Sequence, residues 1–356
     1  MSWFLAFAGF AALILLHEAG HFAAAKATGM RVERFSLFFP PYLARRRRGE
    51  TEYCIGVLPL GGFVRITGMN PEEELPPEIA RRGYYHQPVW KRIVVIGAGP
   101  AVNLLIAFVL LFFLAFGAAE SEPRVADVAP NSAAAETLRP GDRILSVDGR
   151  RTEDPAVLAR QISSHRCAGR QEPGCRAATP AVVRIERDGQ VLTLRVRPRY
   201  SPEAGRTVIG FSFGRRPLDP SIPEAADLSV NLMWTVTTGT VEAIAQIFNP
   251  DRRDEISGVV GSYEVTRQAF EFDARRALTI LALISLSLAV VNLFPFLPLD
   301  GGHIFWSVVE KLRGRPVPYR IMEQSGVLGF MLVIFLFIVG FSIDIGLLSG
   351  YGFNTR

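Results

Sequence analysis

Three ionisable side chains interrupt an apolar segment near the beginning of the chain. Residues 13–26 read LILLHEAGHFAAAK, in which His17, Glu18 and His21 follow a run of uncharged residues. On a helix, residues four apart project from the same face, so the two histidines would point together. That spacing lets two imidazoles hold one zinc ion, with Glu18 placed to accept a proton from an attacking water. Hydrogen-bonded core histidines are the alternative, but charged groups in a membrane segment cost about 2.5–3.5 kcal/mol each and need partners.

A catalytic zinc requires a third protein ligand and one open position. Asp300 is the favoured candidate, in the segment VVNLFPFLPLDGGH. Pro295 and Pro298 interrupt helical hydrogen bonding there, and broken backbone at membrane depth is tolerated where it lines a cavity. His303, three residues further on, is the alternative ligand. A second alternative is that Asp300 only caps the helix that follows.

The elements that must position these residues are membrane helices. Hydrophobic residues make up 49% of the 356, and the apolar ones are concentrated in long blocks around a polar middle. Crossing a bilayer takes about 20 apolar residues. Four blocks approach or reach that length and predict a multi-pass α-helical membrane protein with four transmembrane helices: residues 3–25, 93–119, 278–299 and 326–349. The first block lacks the basic start and small-residue cleavage site of a signal peptide, so it is predicted to be retained.

Basic residues in the loops predict the orientation. The loop 31–92 carries eleven lysines and arginines, including the run Arg45–Arg48, and further basic residues separate the last two spans. Positively charged loops remain in the cytoplasm. The N-terminus and region 120–277 are therefore predicted to be extracytoplasmic. A nucleic-acid patch at Arg45–Arg48 is the less favoured interpretation, and no nucleic-acid partner is expected.

Two motifs together resemble the site-2 protease family of intramembrane zinc metalloproteases: HEAGH in the first span and NLFPFLPLDGG in a late one. GETEYCIGVLPLGGFVRITGM, residues 49–69, resembles the membrane-inserted β-hairpin that follows the first span in the bacterial branch. QPVWKRIVVIGAGPAVN resembles that branch's entry to the second span, including its GPxxN motif. Together the matches resemble the bacterial regulator-of-sigma-E protease group. One departure is that the second proline of the late motif is Pro298, whereas the family usually has it at position 297.

The resemblance implies a function and a set of residue roles. His17, His21 and Asp300 would bind one Zn²⁺ per chain and Glu18 would act as the base, while Asn292 and the loop at Pro295 would hold substrate. The implied substrates are single-span membrane proteins already cut outside by an upstream site-1 protease. Examples are anti-sigma factors in a stress response and signal-peptide remnants. The implied setting is the bacterial inner membrane, with the active site toward the cytoplasmic side.

The polar middle resembles a bacterial PDZ domain of α+β type. Turn signals at RPGD and VDGR separate short strands, and AVVRIERDGQVLTLRVRPR reads as a hairpin across Asp188-Gly189. PDZ domains bind extended peptides by adding a strand to a sheet edge, and a role as a mere size filter is left equally open. The predicted organisation is 1–119 with a membrane-inserted β region at 31–69, a PDZ domain at 120–200, a linker with an interfacial helix at 201–277, and 278–356 with the last two spans.

Three further questions arise from the sequence. Residues 228–248 contain only Glu242 as a charged residue, and we predict an interfacial amphipathic helix rather than a fifth span, which would separate Asp300 from the histidines. Cys167 and Cys175 lie in the outward domain, where a disulfide is permitted. A membrane metal transporter and a non-catalytic PDZ scaffold are the alternative functions, the first requiring ligands along a path and the second leaving Glu18 unexplained.

Overall fold

The computed structural model divides into two compact units. The membrane unit comprises Met1–Leu114 and Ile222–Arg356, and the inserted unit comprises Ala115–Ser221. The structure describes residues 2–70, 72–169, 172, 174–201, 206–245, 263, 266–267, 269–270 and 273–350. The helices, in chain order, are α1 Ser2–Ala27, α2 Pro77–Ala80, α3 Val89–Ala115, α4 Pro155–Ser163, α5 Ile222–Ala245, α6 Ala274–Asn292, α7 Asp300–Arg313 and α8 Tyr319–Gly350, with a 3₁₀ turn at Tyr84–His86.

Three helices of the described chain are long and apolar enough to cross a membrane. They are α1, α3 and α6, with 26, 27 and 19 residues and mean hydropathies of 1.6, 2.4 and 1.8. These helices coincide with the first three predicted spans. The fourth predicted span lies within α8, a helix of 32 residues, and its membrane crossing stays a prediction.

A hairpin follows α1 and folds back on itself. Strands β1 (Val32–Arg48) and β2 (Thr51–Ile66) pair with several shifts of register. Leu37 stands opposite both Ile55 and Gly62, so the first part of β1 lies between two parts of β2. The segment 52–55 is flanked on its other side by 44–47. Among the residues that the structure describes, Gly62–Ile66 pairs with β1 on one side only.

The hairpin runs alongside α1 for most of the helix. Its contacts are the ring pairs Phe7–Phe38 at 5.8 Å and Phe22–Phe35 at 5.4 Å, and the ion pair Lys26–Glu50 at 2.5 Å. Phe7 and Lys26 are separated by roughly 28 Å of helix, close to the thickness of a hydrocarbon core. A β region accompanying a membrane helix agrees with the predicted membrane-associated hairpin.

Two ion pairs that share Glu50 secure the turn of the hairpin at the end of α1. Glu50 accepts hydrogen bonds from Arg82 at 2.7 and 2.8 Å as well as from Lys26. These two cations, Arg82 first, lower the pKa of Glu50 to about 2. The carboxylate therefore stays ionised and holds the turn at any physiological pH.

Helix α5 forms where an amphipathic helix was predicted, and residues 246–248 of that prediction lie outside the described residues. Met233 and Val236 pack against Ala107, Leu286 and Val290, which belong to the middle of α3 and the second half of α6. The helix is thus held by its middle, which an interfacial position alone does not explain. That position stays a prediction.

The inserted unit contains an antiparallel sheet with one helix. Its strands are β3 Ala119–Val128, β4 Arg143–Val147, β5 Arg150–Arg151, β6 Ala181–Arg187, β7 Gln190–Val196, β8 Arg199–Ser201, β9 Arg206–Val208 and β10 Phe211–Pro217. The main sheet has the order β10-β3-β4-β6-β7. Asp188 and Gly189 have φ angles of 50° and 76° and join β6 to β7, so the predicted hairpin is confirmed. Because β10 pairs with β3, the unit extends past the predicted boundary at residue 200.

A buried ion pair fixes the core of the inserted unit. Arg187 donates to both carboxylate oxygens of Asp142 at 2.7 Å, and the Arg139 amide donates to one of them at 2.8 Å. Burial alone would raise the pKa of Asp142, but these hydrogen bonds outweigh it and hold the pKa below its usual value. Cys167 and Cys175 form the permitted disulfide, and Cys54 is a buried free thiol.

Candidate metal centre

Helix α1 brings the two histidines to one buried position. His17 and His21 are each 7% exposed, and their Nε2 atoms lie 3.3 Å apart. The spacing of four residues has the consequence expected from helix geometry, because both rings leave the same face. Glu18 directly follows His17 in the sequence and belongs to the same helix.

Asp300 meets the histidines from the other end of the chain. It is the first residue of α7, and its Oδ2 lies 3.3 Å from Nε2 of His17 and 3.4 Å from Nε2 of His21. The N-cap of α7 is Leu299, without a side-chain cap. The carboxylate thus faces the histidines, which differs from the alternative in which it caps the helix.

The three ligand atoms have the geometry of a zinc site. Their separations of 3.3, 3.3 and 3.4 Å form a nearly equilateral triangle. Two ligands of a tetrahedral ion with bonds of about 2.0–2.1 Å lie about 3.3–3.4 Å apart, so these residues fit zinc and leave a fourth position open. Oδ2 of Asp300 is shielded from solvent and has no hydrogen-bond partner among the described residues. A buried carboxylate is stabilised by an opposite charge or by binding a metal, and the two histidine nitrogens beside it make it suitable for a shared metal ion.

The alternative ligand is not part of this group. Among the described residues, His17, His21 and Asp300 are the group of metal-binding side chains whose ligand atoms lie within 4.8 Å of one another. His303 is on the same helix as Asp300 but does not join them. The geometry favours Asp300.

Helix α3 closes the site from behind. The His21 ring donates a hydrogen bond from Nδ1 to the carbonyl oxygen of Val95 at 2.9 Å, which leaves Nε2 for a metal. Gly99 makes room for the ring, because a Cβ there would lie 2.5 Å from Cε1 of His21. Gly20 allows α1 and α3 to approach closely, since a Cβ added there would lie 2.6 Å from the carbonyl oxygen of Ala98.

Comparison with known proteins agrees with this arrangement. The model of peptidase family M50 matches residues 5–336. The chain belongs to peptidase family M50, the site-2 protease family. It is 33% identical to a "Putative zinc metalloprotease" of Nostoc sp. over 94% of this chain and 93% of that protein. A protein of the same description from Clostridium perfringens is 31% identical, over 93% and 94%. A "Probable membrane metalloprotease, chloroplastic" of Arabidopsis thaliana is 30% identical, over 91% and 75%.

These relatives and the apolar helices make the chain a membrane metalloprotease of the M50 family. Zinc is the metal that the relatives' names give, and it is the metal that the ligand triangle fits. The predicted membership of the site-2 protease family is confirmed. The assignment to the regulator-of-sigma-E group and the PDZ assignment stay predictions.

The hairpin supplies a neighbour that sequence analysis did not identify. Gly62 packs against α1 beside Glu18, since a Cβ on it would lie 2.9 Å from Cγ of Glu18 and 3.2 Å from Cγ2 of Ile14. The first residue of the segment Gly62–Ile66 of this M50 protease therefore lies directly beside Glu18. The double glycine at 61–62 was the available signal, but only the fold shows which helix it touches.

The two predicted substrate-binding residues lie at the end of α6 and in the loop that follows it. Asn292 is the last residue of α6, and Pro295 lines an apolar cavity of about 450 Å³. The other lining residues are Phe296, Leu297, Phe305, Trp306, Ser325, Leu328, Gly329 and Leu332. The structure thus places both residues in the segment that runs from the end of α6 to Asp300, and their contact with substrate stays a prediction.

A buried ion pair ties α3 to α7. Arg92 is 2% exposed and donates two hydrogen bonds to the Glu310 carboxylate, at 2.5 and 3.0 Å. Its guanidinium also lies 5.2 Å from the centre of the Tyr85 ring. The pair joins the helix that supports His21 to the helix that begins with Asp300, so it fixes the ligands relative to one another.

Proposed function

We propose that this M50 protease is an intramembrane zinc endopeptidase. The observation that carries the proposal is the His17–His21–Asp300 triangle, because two of its three members lie on a helix long and apolar enough to cross a membrane. An enzyme with its metal ligands in such a helix would hydrolyse peptide bonds in or near the transmembrane segment of its substrate.

The ligands and the neighbouring acid have distinct roles. A zinc ion held by the three ligands supplies Lewis-acid chemistry, polarising the peptide carbonyl and acidifying water. Glu18 accepts the proton of the attacking water and then transfers it to the leaving amine, as a general base and acid. The hydrogen bond from His21 to Val95 keeps that ring oriented while the proton moves.

The edge of the hairpin is suited to hold the substrate. A helical substrate hides its carbonyl groups, so the bond to be cut must first be unwound. Within the described part of the chain, the segment Gly62–Ile66 pairs with β1 on one side only, and its first residue, Gly62, lies beside Glu18. An unwound substrate segment would add to this edge as a further strand. Asn292 and the Pro295 loop would hold the substrate from the other side, with the apolar cavity available for a large apolar side chain.

The substrate class follows from the family resemblance. We infer single-span membrane proteins that an upstream site-1 protease has already shortened, such as anti-sigma factors or signal-peptide remnants. The enzyme would act in the bacterial inner membrane in regulated intramembrane proteolysis. The inserted unit would face outward and, as a PDZ domain, either bind peptides or exclude bulky ectodomains. A transporter would need several metal sites along a path. Among the described residues, the metal-binding side chains form one group, His17, His21 and Asp300.

The first test is a pair of carboxyl variants in reconstituted bilayers. Glu18→Gln should abolish cleavage of a single-span model substrate while zinc content stays at one per chain, because Glu18 is not a ligand. Glu153→Gln, at an exposed carboxylate of the inserted unit, should leave both unchanged. Cleavage retained by Glu18→Gln would refute its role as the base, and a wild type without zinc would refute the proposed function.

A second test concerns the topology. Reporter fusions after residue 255 should lie outside, since α5 is proposed not to cross the membrane. Cytoplasmic fusions at that point would contradict the proposed orientation of the late helices.

A further inference from the structure

A carboxamide lies behind the first histidine, on the side away from the other ligands. Asn103 on α3 has no exposed surface, and its Nδ2 lies 3.1 Å from Nδ1 of His17. Its Oδ1 is shielded from solvent and has no hydrogen-bond partner among the described residues. A buried polar oxygen without a partner costs about 1–3 kcal/mol, so its presence calls for an explanation.

Zinc binding through Nε2 of His17 determines which end of the Asn103 carboxamide must face Nδ1 of that ring. Nε2 of His17 lies 3.3 Å from both other ligand atoms, so it is the nitrogen that faces the metal position. A neutral imidazole that gives Nε2 to a metal carries its proton on Nδ1, which then requires an acceptor. The amide NH₂ of Asn103 is a donor and cannot meet this requirement. A half-turn of the carboxamide exchanges its two ends and brings Oδ1 to Nδ1.

We propose that Asn103 is the positioning residue for His17. Its Oδ1 accepts the Nδ1 proton, selects the tautomer that binds through Nε2, and fixes the plane of the ring. The assignment rests on the proposed zinc site. Val95 does the same for His21 with a backbone carbonyl oxygen, at 2.9 Å, so α3 orients both histidines of α1.

The backbone of Asn103 is held in place from a third helix. The Ser285 hydroxyl of α6 donates a hydrogen bond to the carbonyl oxygen of Asn103 at 3.0 Å. This contact does not involve the carboxamide or the histidine. Ser285→Ala is therefore a matched control, since it removes a buried hydrogen bond at the same residue but leaves the proposed acceptor intact.

The experiment compares Asn103→Leu, Asn103→Asp and Ser285→Ala in the full chain. Zinc affinity is measured by competition with a chelator, and the ligand field by the absorption spectrum after cobalt(II) substitution. Asn103→Leu keeps the size but removes the acceptor, and we expect a loss of 10–100-fold in zinc affinity with an altered cobalt spectrum. Asn103→Asp retains an acceptor and should bind zinc at least as tightly as wild type, whereas Ser285→Ala should keep both the wild-type affinity and the wild-type spectrum.

The pattern of these variants separates positioning from packing. The assignment is overturned if Asn103→Leu binds zinc as tightly as wild type, or if Asn103→Asp loses as much affinity as Asn103→Leu. If the leucine variant fails to fold, Asn103→Asp still tests the assignment, because a loss of zinc affinity in a folded variant that keeps an acceptor would overturn it. A wild type without zinc would refute the proposed function instead, so the two failures are distinguishable.

Discussion

The space that Gly99 leaves for His21 gives the sharpest test of the zinc site. An added Cβ at Gly99 would lie 2.5 Å from Cε1 and 2.9 Å from Cδ2 of His21, and closer still to Nε2. Favourable carbon–carbon contacts lie at about 3.5–4.0 Å, so the ring must retreat by about 1 Å. Metal ligands are held within about 0.2 Å of their ideal distances. His21 would therefore leave the coordination sphere in Gly99→Ala.

The expected losses of zinc affinity and of cleavage rate are large, and they depend on where one methyl group is added. Changes around a ligand typically reduce metal affinity by about 10–100-fold, and we expect at least this for Gly99→Ala. A displacement of about 1 Å in a catalytic site costs about 10²-fold in rate. Gly97→Ala is the matched control, because it adds the same methyl to the same helix two residues away. Its Cβ would lie 3.9 Å from Cδ1 of Ile304, an ordinary contact.

The assay is chelator competition followed by cleavage of a single-span substrate in bilayers, with circular dichroism to compare helix content. Gly97→Ala should match wild type in all three measurements. Equal zinc affinity in Gly99→Ala and Gly97→Ala would refute the packing argument. It would also refute the placement of His21 on the metal, because the ring cannot keep its position beside the new methyl group.

Three further predictions concern the hairpin and the inserted unit. Gly62→Ala should lower kcat but leave zinc affinity unchanged, because its Cβ would meet Glu18 at 2.9 Å and not a metal ligand; a parallel loss of zinc would contradict this. Asp142→Asn should lower the free energy of unfolding of the inserted unit by about 3 kcal/mol, since it removes the buried carboxylate charge that pairs with Arg187, whereas Glu153→Gln at an exposed pair should change it little. Urea unfolding followed by hydrogen exchange measures both. Because the pKa of Asp142 is lowered in the fold, its contribution to the stability of the unit is fully present above the ordinary aspartate pKa of about 3.9 and is lost as the pH falls further. When the pH is lowered below about 4, the urea concentration at the unfolding midpoint should therefore fall in wild type and much less in Asp142→Asn.

The sequence was most informative where chemistry depends on local spacing. His17 and His21 share a helix, and a separation of four residues places them together whatever the rest of the fold. Length and hydropathy predicted α1, α3 and α6 in the same way, because crossing a membrane is a property of one segment. Asp188-Gly189 predicted its hairpin because only a few residues accept positive φ at both turn positions.

The tertiary structure decided everything that depends on a contact between distant segments. The context of the sequence favours Asp300 over His303, but only the fold brings Oδ2 of Asp300 within 3.4 Å of both histidines. The pairing of β10 with β3, beyond the predicted boundary, likewise joins residues that are at least 83 positions apart in the sequence.

The sequence by itself therefore determined which residues could bind a metal and which segments could cross a membrane. The tertiary structure decided how these residues are supported, through Val95, Gly99 and Gly62. Their contributions are a backbone carbonyl and two absent side chains, which carry no chemical signal in a sequence. Such contributions exist only when two segments pack closely, and close packing between distant segments is set by the whole fold.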